Sequence, residues 1–229
     1  MSRDTELSVN RKVTAVIPAY NEASRIGAVI EAALNASLVD DVVVIDDGST
    51  DSTAEVAGRY PVAVIVREKN GGKGAVVETA RRRVDADIVV FVDADLVGLK
   101  PAHLNALVRP LLEREELVMT VGKFTGGRLR TDLAQRIAPT ISGQRAVRRK
   151  FLEGMPDVSK SRFGVEVAFT AHAKAIGGKT SEVPLSGVTQ VMKEEKLGYG
   201  RGLAKRAAMY WDLLREKAKS GFKKKNTCG

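Results

Sequence analysis

The amino-acid sequence predicts an α/β fold in which a mostly parallel sheet is flanked by helices. Runs of valine and isoleucine alternate four times with segments that carry apolar residues at helical spacing. These runs are apolar at consecutive positions, which is typical of strands that are covered on both faces. Because each strand is followed by a helix, successive strands are expected to lie parallel in one sheet.

The four strand and helix pairs fill the first half of the chain. The predicted strands are residues 12–20, 41–46, 62–68 and 87–95, and the predicted helices are residues 22–36, 51–60, 72–84 and 100–115. The apolar face of the first helix consists of Ile26, Val29, Ile30, Ala33 and Leu34. This spacing indicates a helix that packs against the sheet.

The alternation of strand and helix patterns ends after residues 117–124. The next segment is rich in arginine and glycine, and it predicts loops, helices over 143–154 and 163–177, and a short strand over 181–187. No internal repeat or linker divides the chain. The predicted organisation is an N-terminal tail at residues 1–12, one domain over residues 13–192 with halves at 13–96 and 97–192, and a basic C-terminal helix and tail at residues 193–229.

The C-terminal segment carries most of the positive charge. Residues 193–229 contain eleven Lys or Arg against four Asp or Glu, in a chain whose net charge is +9. The helix predicted over residues 201–221 is basic and amphipathic. Its apolar stripe consists of Leu203, Ala207, Tyr210, Trp211, Leu214 and Ala218. Such a helix can lie on an anionic membrane surface, pack on the protein's own core or on a second subunit in a homodimer, or stay solvated.

The composition argues against several classes of protein. Cys228 is the single cysteine, which excludes an internal disulfide and a cysteine-based metal cluster in this sequence. No apolar run approaches the roughly 20 residues that a membrane-spanning helix needs, and residues 1–12 lack the apolar core of a signal peptide. No nucleic-acid recognition motif accompanies the basic residues. We expect a cytoplasmic protein, with peripheral contact at the inner face of the membrane as an alternative.

Four polar segments follow the four predicted strands. They are residues 18–22, 46–50, 67–74 and 93–96, with the sequences PAYNE, DDGST, REKNGGKG and DADL. In an open α/β sheet, ligands bind at the carboxyl ends of the strands, so these segments are expected to share one site. Each segment alone also suits a turn or a helix cap. Neither a P-loop nor the glycine fingerprint of dinucleotide sites occurs in the sequence.

Asp93 and Asp95 predict a metal site. On a strand, side chains two residues apart point to one side, and two carboxylates can then share Mg²⁺ or Mn²⁺ with phosphate oxygens of a substrate. Lys73 follows the third predicted strand and can bring a second positive charge to the same phosphates. The pattern therefore favours a phosphate-bearing substrate.

The motifs VIPAYNE, VVVIDDGSTDST, REKNGGKGAV and FVDADL together resemble the nucleotide-sugar-binding half of family 2 glycosyltransferases, which have a GT-A, Rossmann-like fold. The chain is similar to small members of that family such as polyprenyl-phosphate glycosyltransferases and glucosyl-3-phosphoglycerate synthases. The resemblance covers residues 13–96 closely. Further along, SGQRAVRR resembles the acceptor-side segment of the family, and FGVEVAFTAHA resembles its Gly-x-Glu helix.

The resemblance implies roles for individual residues. The implied nucleotide-sugar site comprises Pro18, Ala19, Tyr20, Glu22, Asp46, Asp47, Lys73, Asp93 and Ala94. The implied metal ligands are Asp93, Asp95 and Gln190, and the implied acceptor site comprises Ser142, Gly143, Arg145, Arg148 and Arg149. Gln190 stands where many relatives carry a histidine, so the metal would gain a neutral amide oxygen in place of an imidazole.

The predicted reaction is the metal-dependent transfer of a single sugar from a nucleotide diphospho-sugar to a phosphate-bearing acceptor. Because the terminal helix suits a lipid surface, polyprenyl phosphate is the first acceptor considered. A soluble acceptor such as 3-phosphoglycerate and a non-catalytic nucleotide-sugar-binding role are the alternatives. The Gln-x-x-Arg-Trp signature of the polymerising family members is absent, which favours a single transfer.

The chemistry of the acceptor decides which further residues act. The predicted catalytic residues are Asp95, Glu166 and Lys73. An alcohol acceptor needs a carboxylate base, for which Glu166 is the candidate, although an exposed helix glutamate is an equal alternative. A phosphate acceptor is already ionised and would be clamped by the three arginines of the acceptor set, unless these form a solvated helix face.

Overall fold

A computed structural model of the chain describes residues 11–125, 143–159 and 164–190. The strands are β1 Val13–Ala19, β2 Asp41–Asp46, β3 Ala63–Val66, β4 Ile88–Phe91, β5 Leu96–Val97, β6 Leu117–Thr125, β7 Arg145–Arg148, β8 Lys179–Ser186 and β9 Thr189–Gln190. The helices are α1 Ile26–Leu34, α2 Thr53–Ala57, α3 Lys73–Arg83, α4 Pro101–Glu113, α5 Arg149–Glu153 and α6 Val165–Ala175. Strands and helices alternate through the first half of the chain, which confirms the predicted pattern.

Seven strands form one mostly parallel sheet in the order β3-β2-β1-β4-β7-β6-β8. Only β7 runs against its neighbours β4 and β6. Ala19, the last residue of β1, pairs with Asp46, the last residue of β2. On the other side of β1, Val16 pairs with Phe91 at the end of β4. The carboxyl ends of these three strands therefore meet at one edge of the sheet.

Both faces of the sheet are covered, which explains the consecutive apolar residues in the strands. Within the described residues, α1, α2 and α4 pack on one face, and α3, α5 and α6 pack on the other. Val13, Ala15 and Ile17 of β1 belong to the first core, while Val16 belongs to the second. Such alternation buries both faces of the central strands, whereas β3 and β8 at the two sides of the sheet are more exposed.

The segment predicted as a helix over 143–154 divides into strand β7 and the short helix α5. Ala146 and Val147 of β7 point into opposite cores, as neighbours on a doubly covered strand do. Because an arginine flanks this pair on each side, the sequence did not show the apolar pattern of a buried strand. Helix α6 lies within the predicted range 163–177, and β8 begins two residues before the predicted strand.

A second sheet of two short strands pairs β5 antiparallel with β9. The predicted basic segment at residues 193–229 and most of the predicted N-terminal tail lie outside the described residues, and the domain boundaries stay predictions. Among the residues that the structure describes, no helix has the length and apolar character needed to span a membrane.

Candidate active site

The first two polar segments are tied together at the edge where β1 and β2 end. Asn21 has a φ of 57°, in the left-handed region, so the chain turns sharply after β1. Its N–H donates to Ser49 Oγ at 2.9 Å, and its Oδ1 accepts from the N–H of Thr50 at 2.8 Å. The buried Glu22 donates its N–H to Thr53 Oγ1 at 2.8 Å. These bonds fix the shape of both loops.

The residues predicted to contact the nucleoside lie along this edge. Pro18 and Ala19 are the last two residues of β1, and Tyr20 follows them with 42% of its surface exposed. An exposed aromatic ring beside converging strand ends can stack on a flat base. The contact of these residues with a nucleoside stays a prediction.

Asp46 and Asp47, at the end of β2, are buried and hydrogen-bonded within the protein. Asp46 accepts from the N–H of Ser49 at 3.2 Å and from the hydroxyl of the same residue. Asp47 accepts from the N–H groups of Gly71 at 3.1 Å and Gly72 at 2.7 Å. The two acids therefore organise the loops after β2 and β3. Their predicted contact with the base stays a prediction.

Lys73 joins two carboxylates from different parts of the chain. It is the first residue of α3, and Gly72 before it has a φ of 81°, which allows the loop to turn into the helix. The Nζ atom of Lys73 lies 2.6 Å from Asp93 Oδ1 and 3.0 Å from Glu166 Oε1. Asp93 follows β4, and Glu166 lies in the first turn of α6. One ammonium group thus connects the two halves of the predicted domain.

The surroundings of this cluster stabilise the charged forms of Lys73 and Asp93. Burial alone would lower the pKa of Lys73, but the Asp93 and Glu166 carboxylates outweigh it, so this pKa is raised above its ordinary value. Burial alone would raise the pKa of Asp93, but the Lys73 ammonium, the Gln144 amide and the charge of Arg145 lower it. Both groups are therefore charged at neutral pH.

Two glutamine side chains contact the Asp-x-Asp pair. Gln144, which is buried, donates Nε2 to Asp93 Oδ2 at 2.9 Å. Gln190 donates Nε2 to the same oxygen at 3.3 Å and to Asp95 Oδ1 at 2.9 Å. The pairing of β5 with β9 sets Leu96 opposite Gln190. Between the two acids, Ala94 is buried and fills the core.

The donor set around Asp93 and Asp95 suits a hard divalent cation. The described residues contain no group of three His, Cys, Asp or Glu side chains with metal-ligand spacing. The amide of Gln190 could supply a third donor, because a half-turn of its last torsion exchanges the nitrogen for an oxygen. Two carboxylates and one amide oxygen are ligands that Mg²⁺ and Mn²⁺ accept, with water and phosphate completing the shell.

Gly143 lies against the ion pair of Lys73 and Asp93. A methyl group added at this position would clash with Lys73 Nζ and with Asp93 Oδ2. The backbone at Gly143 therefore approaches the charged cluster as closely as only glycine permits. Of the predicted acceptor residues, Gly143 and Arg145 lie at this end of β7, and Ser142 lies outside the described residues.

Arg145 is buried beneath the cluster. Its guanidinium lies 4.7 Å from the centre of the Phe169 ring, and its Nη1 donates to the backbone carbonyl of Glu166 at 3.4 Å. Burial lowers the pKa of Arg145, against the charges of Glu166 and Asp93, which raise it.

The structure brings Arg145 to the predicted acceptor side but places Arg148 and Arg149 away from it. Because β7 runs antiparallel to β4, Arg148 pairs with Ile88 at the start of β4, at the edge of the sheet opposite the site. Its guanidinium donates to carbonyl oxygens, among them those of Leu111 and Leu117, each at 2.7 Å. Arg149 likewise donates to backbone carbonyls and pairs with Glu153. Both arginines bind the protein's own backbone.

Sequence reasoning missed two residues of the site. Gln144 stands inside the quoted SGQRAVRR motif, and its position next to Gly143 was the available signal. Arg67 forms an ion pair with Asp47, and it begins the quoted REKNGGKG segment. Neither residue carries a pattern of its own, since both act through partners that are distant in the sequence.

Comparisons with known proteins show what this chain is similar to. The glucosyl-3-phosphoglycerate synthase of Mycobacterium tuberculosis H37Rv is 30% identical over 193 residues, which cover 69% of this chain and 59% of that protein. The dolichol-phosphate mannosyltransferase of Pyrococcus furiosus is 26% identical over 212 residues, covering 81% of this chain and 59% of that protein. The chain thus spans about three fifths of the length of these curated relatives.

A solved structure and a family model extend the comparison. The crystal structure of the M. tuberculosis glucosyl-3-phosphoglycerate synthase with Mn²⁺, UDP and glucosyl-3-phosphoglycerate superposes with a TM-score of 0.77. The match is 26% identical and covers 96% of this chain and 84% of that one. The family model described as Glycosyl transferase family 2 matches residues 14–170. The chain therefore belongs to glycosyl transferase family 2.

Proposed function

We propose that this chain transfers a single sugar from a nucleotide diphospho-sugar to a phosphate-bearing acceptor and requires a divalent cation. The observation that supports this most is the meeting of the Lys73 ammonium with Asp93, beside Asp95, at the carboxyl edge of the sheet. A diphosphate carries negative charge that increases as the sugar leaves. A fixed ammonium group and a cation site at one point stabilise that charge.

The donor binds across the ends of β1, β2 and β4. Asp93, Asp95 and Gln190 would hold Mg²⁺ or Mn²⁺, which when bound supplies positive charge to the departing diphosphate. Lys73 is held within hydrogen-bonding distance of Asp93 and contributes the second cation. UDP-glucose is the first donor to test, because solved relatives bind it together with Mn²⁺.

The acceptor we favour is a soluble phosphorylated hydroxy acid such as 3-phosphoglycerate. The relatives and solved structures named glucosyl-3-phosphoglycerate synthase support this choice. Glu166 faces Lys73 with 13% of its side chain exposed, so its carboxylate can accept a hydrogen bond from the acceptor hydroxyl. The Lys73 ammonium fixes the direction of that carboxylate.

A polyprenyl phosphate acceptor is the second candidate. The similarity to a dolichol-phosphate mannosyltransferase over 81% of this chain favours it, as does the basic segment at residues 193–229. A phosphate oxygen needs no base, so this reaction would not depend on Glu166 as a proton acceptor. Peripheral membrane contact through that basic segment would bring the chain to this acceptor, but such contact is also compatible with a soluble acceptor.

Donor binding and transfer test the proposal. We expect UDP-glucose with Mn²⁺ to raise the melting temperature, because it binds only the folded state. Asp95→Asn should abolish most of the Mn²⁺-dependent increase and lower the transfer rate about 100-fold, the size of effect that loss of one electrostatic stabiliser can have. Glucose transfer is then measured with 3-phosphoglycerate and, separately, with polyprenyl phosphate in vesicles.

Asp87→Asn is the matched control. Asp87 precedes β4 at the opposite edge of the sheet and accepts from the N–H of Lys12 at 2.8 Å, so the variant should transfer sugar at the wild-type rate. Equal loss in both variants would show a general defect rather than loss of a cation site. Binding of UDP-glucose without transfer to either acceptor would leave the non-catalytic nucleotide-sugar-binding role.

A further inference from the structure

Arg145 carries a buried positive charge at the site. Neither the proposed donor binding nor the proposed metal binding explains why that charge is there. Arg145 is 2% exposed and lies in β7 between Phe91 of β4 and Val121 of β6. A charge in such a position is costly unless polar or aromatic partners surround it. The partners of Arg145 therefore indicate what its charge does.

Two partners of Arg145 belong to the first turns of α6, and a third is the Met119 sulfur of β6, to which Nη1 donates at 3.9 Å. The Nη1 atom of Arg145 donates to the backbone carbonyl of Glu166 at 3.4 Å, and its guanidinium lies over the ring of Phe169 at 4.7 Å. Glu166 and Phe169 are three residues apart, so they lie on one side of the helix. A single planar side chain thus contacts both a backbone group and a ring of the same helix.

The helix that Arg145 contacts carries the carboxylate of the acceptor side. Gly164 precedes α6 with a φ of 85°, and Val167 and Ala168 donate their N–H groups to its carbonyl. The carboxylate of Glu166 projects from this turn to Lys73 at 3.0 Å. A shift of the first turn of α6 would therefore move the carboxylate away from the ammonium group.

We propose that Arg145 is a positioning residue, which locks the first turn of α6 through Glu166 O and Phe169 and thereby holds the Glu166 carboxylate at Lys73. This inference rests on the proposed function, in which that carboxylate faces the acceptor. Arg145 also adds a second positive charge, beside that of Lys73, to an interior that holds Asp93 and Glu166. The guanidinium suits both tasks because it is planar and permanently charged.

Three variants test the role of Arg145 in transfer. Arg145→Met keeps most of the side-chain volume and removes the charge and the donors, and we expect kcat to fall about tenfold with the donor KM unchanged. Arg145→Lys restores a cation and should recover part of kcat. Arg148→Met is the matched control on the same strand, because its carbonyl partners lie at the opposite edge; its kcat should equal that of the wild type.

Hydrogen–deuterium exchange of the full chain gives a second measurement that needs no substrate. We expect the peptide covering residues 164–175 to exchange at least several times faster in Arg145→Met than in the wild type. Arg148→Met should instead accelerate exchange in the peptides that contain Leu111 and Leu117. Phe169→Leu, which removes the ring but keeps an apolar side chain, should accelerate exchange in the same α6 peptide and provides the test if Arg145→Met does not fold.

The outcomes separate this inference from the proposed function. If the wild type transfers no sugar, and α6 exchanges faster in Arg145→Met but not in Arg148→Met, the proposed reaction is contradicted and the positioning role is supported. Unchanged exchange of residues 164–175 in both Arg145→Met and Phe169→Leu overturns the positioning role. An active Arg145→Met with wild-type kcat overturns it as well, as does a loss that appears only in the donor KM.

Discussion

At the scale of single residues, Lys73 is the group on which the charge balance of the site depends. Lys73→Met would leave Asp93 and Glu166 facing each other without the ammonium group between them. Removing one partner of a largely buried ion pair costs about 3 kcal/mol of unfolding free energy. Lys123→Met is the control, since Lys123 pairs with Glu182 on the surface, and its loss should cost at most about 1 kcal/mol.

The pH dependence of that loss follows from the lowered pKa of Asp93. A carboxyl group whose pKa is lowered on folding stabilises the fold above the pKa of the unfolded chain, and this contribution disappears as the pH falls through the folded value. The difference in unfolding free energy between wild type and Lys73→Met should therefore grow from about pH 2 and level off near pH 5, about one unit above the ordinary pKa of an aspartate. Urea unfolding across that range measures it, and a constant difference would contradict the assigned ion pair.

Single residues also show which parts of the site could be predicted from the sequence and which could not. Asp93 and Asp95 were predictable from their place after an apolar strand, but the strand geometry predicted for them was not right, because β4 ends at Phe91 and Asp95 lies in the turn beyond it. The position of Arg148 was not predictable, because the direction of β7 decides at which edge of the sheet each arginine lies. Three residues along a strand span about 10 Å. The first and last residues of a four-residue strand therefore lie at opposite edges of the sheet.

At the scale of elements, the short pairing of β5 with β9 brings Gln190 to the Asp-x-Asp pair. Gly98 follows β5 with a φ of 77°, and a Cβ atom there would lie 2.5 Å from the carbonyl oxygen of Gly187. Gly98→Ala should therefore push the chain before β9 away and weaken Mn²⁺ binding about tenfold, since one of the three donors is misplaced. Calorimetric titration of the chain with Mn²⁺ and UDP measures this affinity.

Gly177→Ala is the control for the backbone strain in that variant. Gly177 also has a positive φ, 65°, but a Cβ atom there would meet nothing within 4 Å. Both variants should lose about 1 kcal/mol from the left-handed conformation, whereas only Gly98→Ala should lose metal affinity. Equal Mn²⁺ affinity in the two variants would show that the pairing of β5 with β9 does not position Gln190.

At the scale of the whole molecule, the α/β class was predictable because the first half of the chain repeats one pattern. The strand β7 was not, since its four residues carry two arginines and gain their place from β4 and β6 on either side. The site combines both kinds of segment: Lys73 and Asp93 come from the repeating half, and Glu166 and Gln190 come from the irregular half. Lys73 and Asp93 were therefore readable from local pattern, Glu166 and Gln190 were named through the family resemblance, and the distances between the four required the tertiary arrangement.

The distribution of charge over the whole chain leads to the last prediction. Residues 193–229 hold most of the net charge of +9, and a lysine or arginine near an anionic membrane surface contributes about 1 kcal/mol of attraction. The full chain should therefore sediment with vesicles of anionic phospholipid, less so at high salt because the charges are screened. A chain ending at residue 192 should stay in the supernatant, yet retain the increase in melting temperature with UDP-glucose and Mn²⁺. Equal sedimentation of both chains would exclude the basic segment as the membrane contact, whereas a full chain that stays in the supernatant would favour the soluble acceptor.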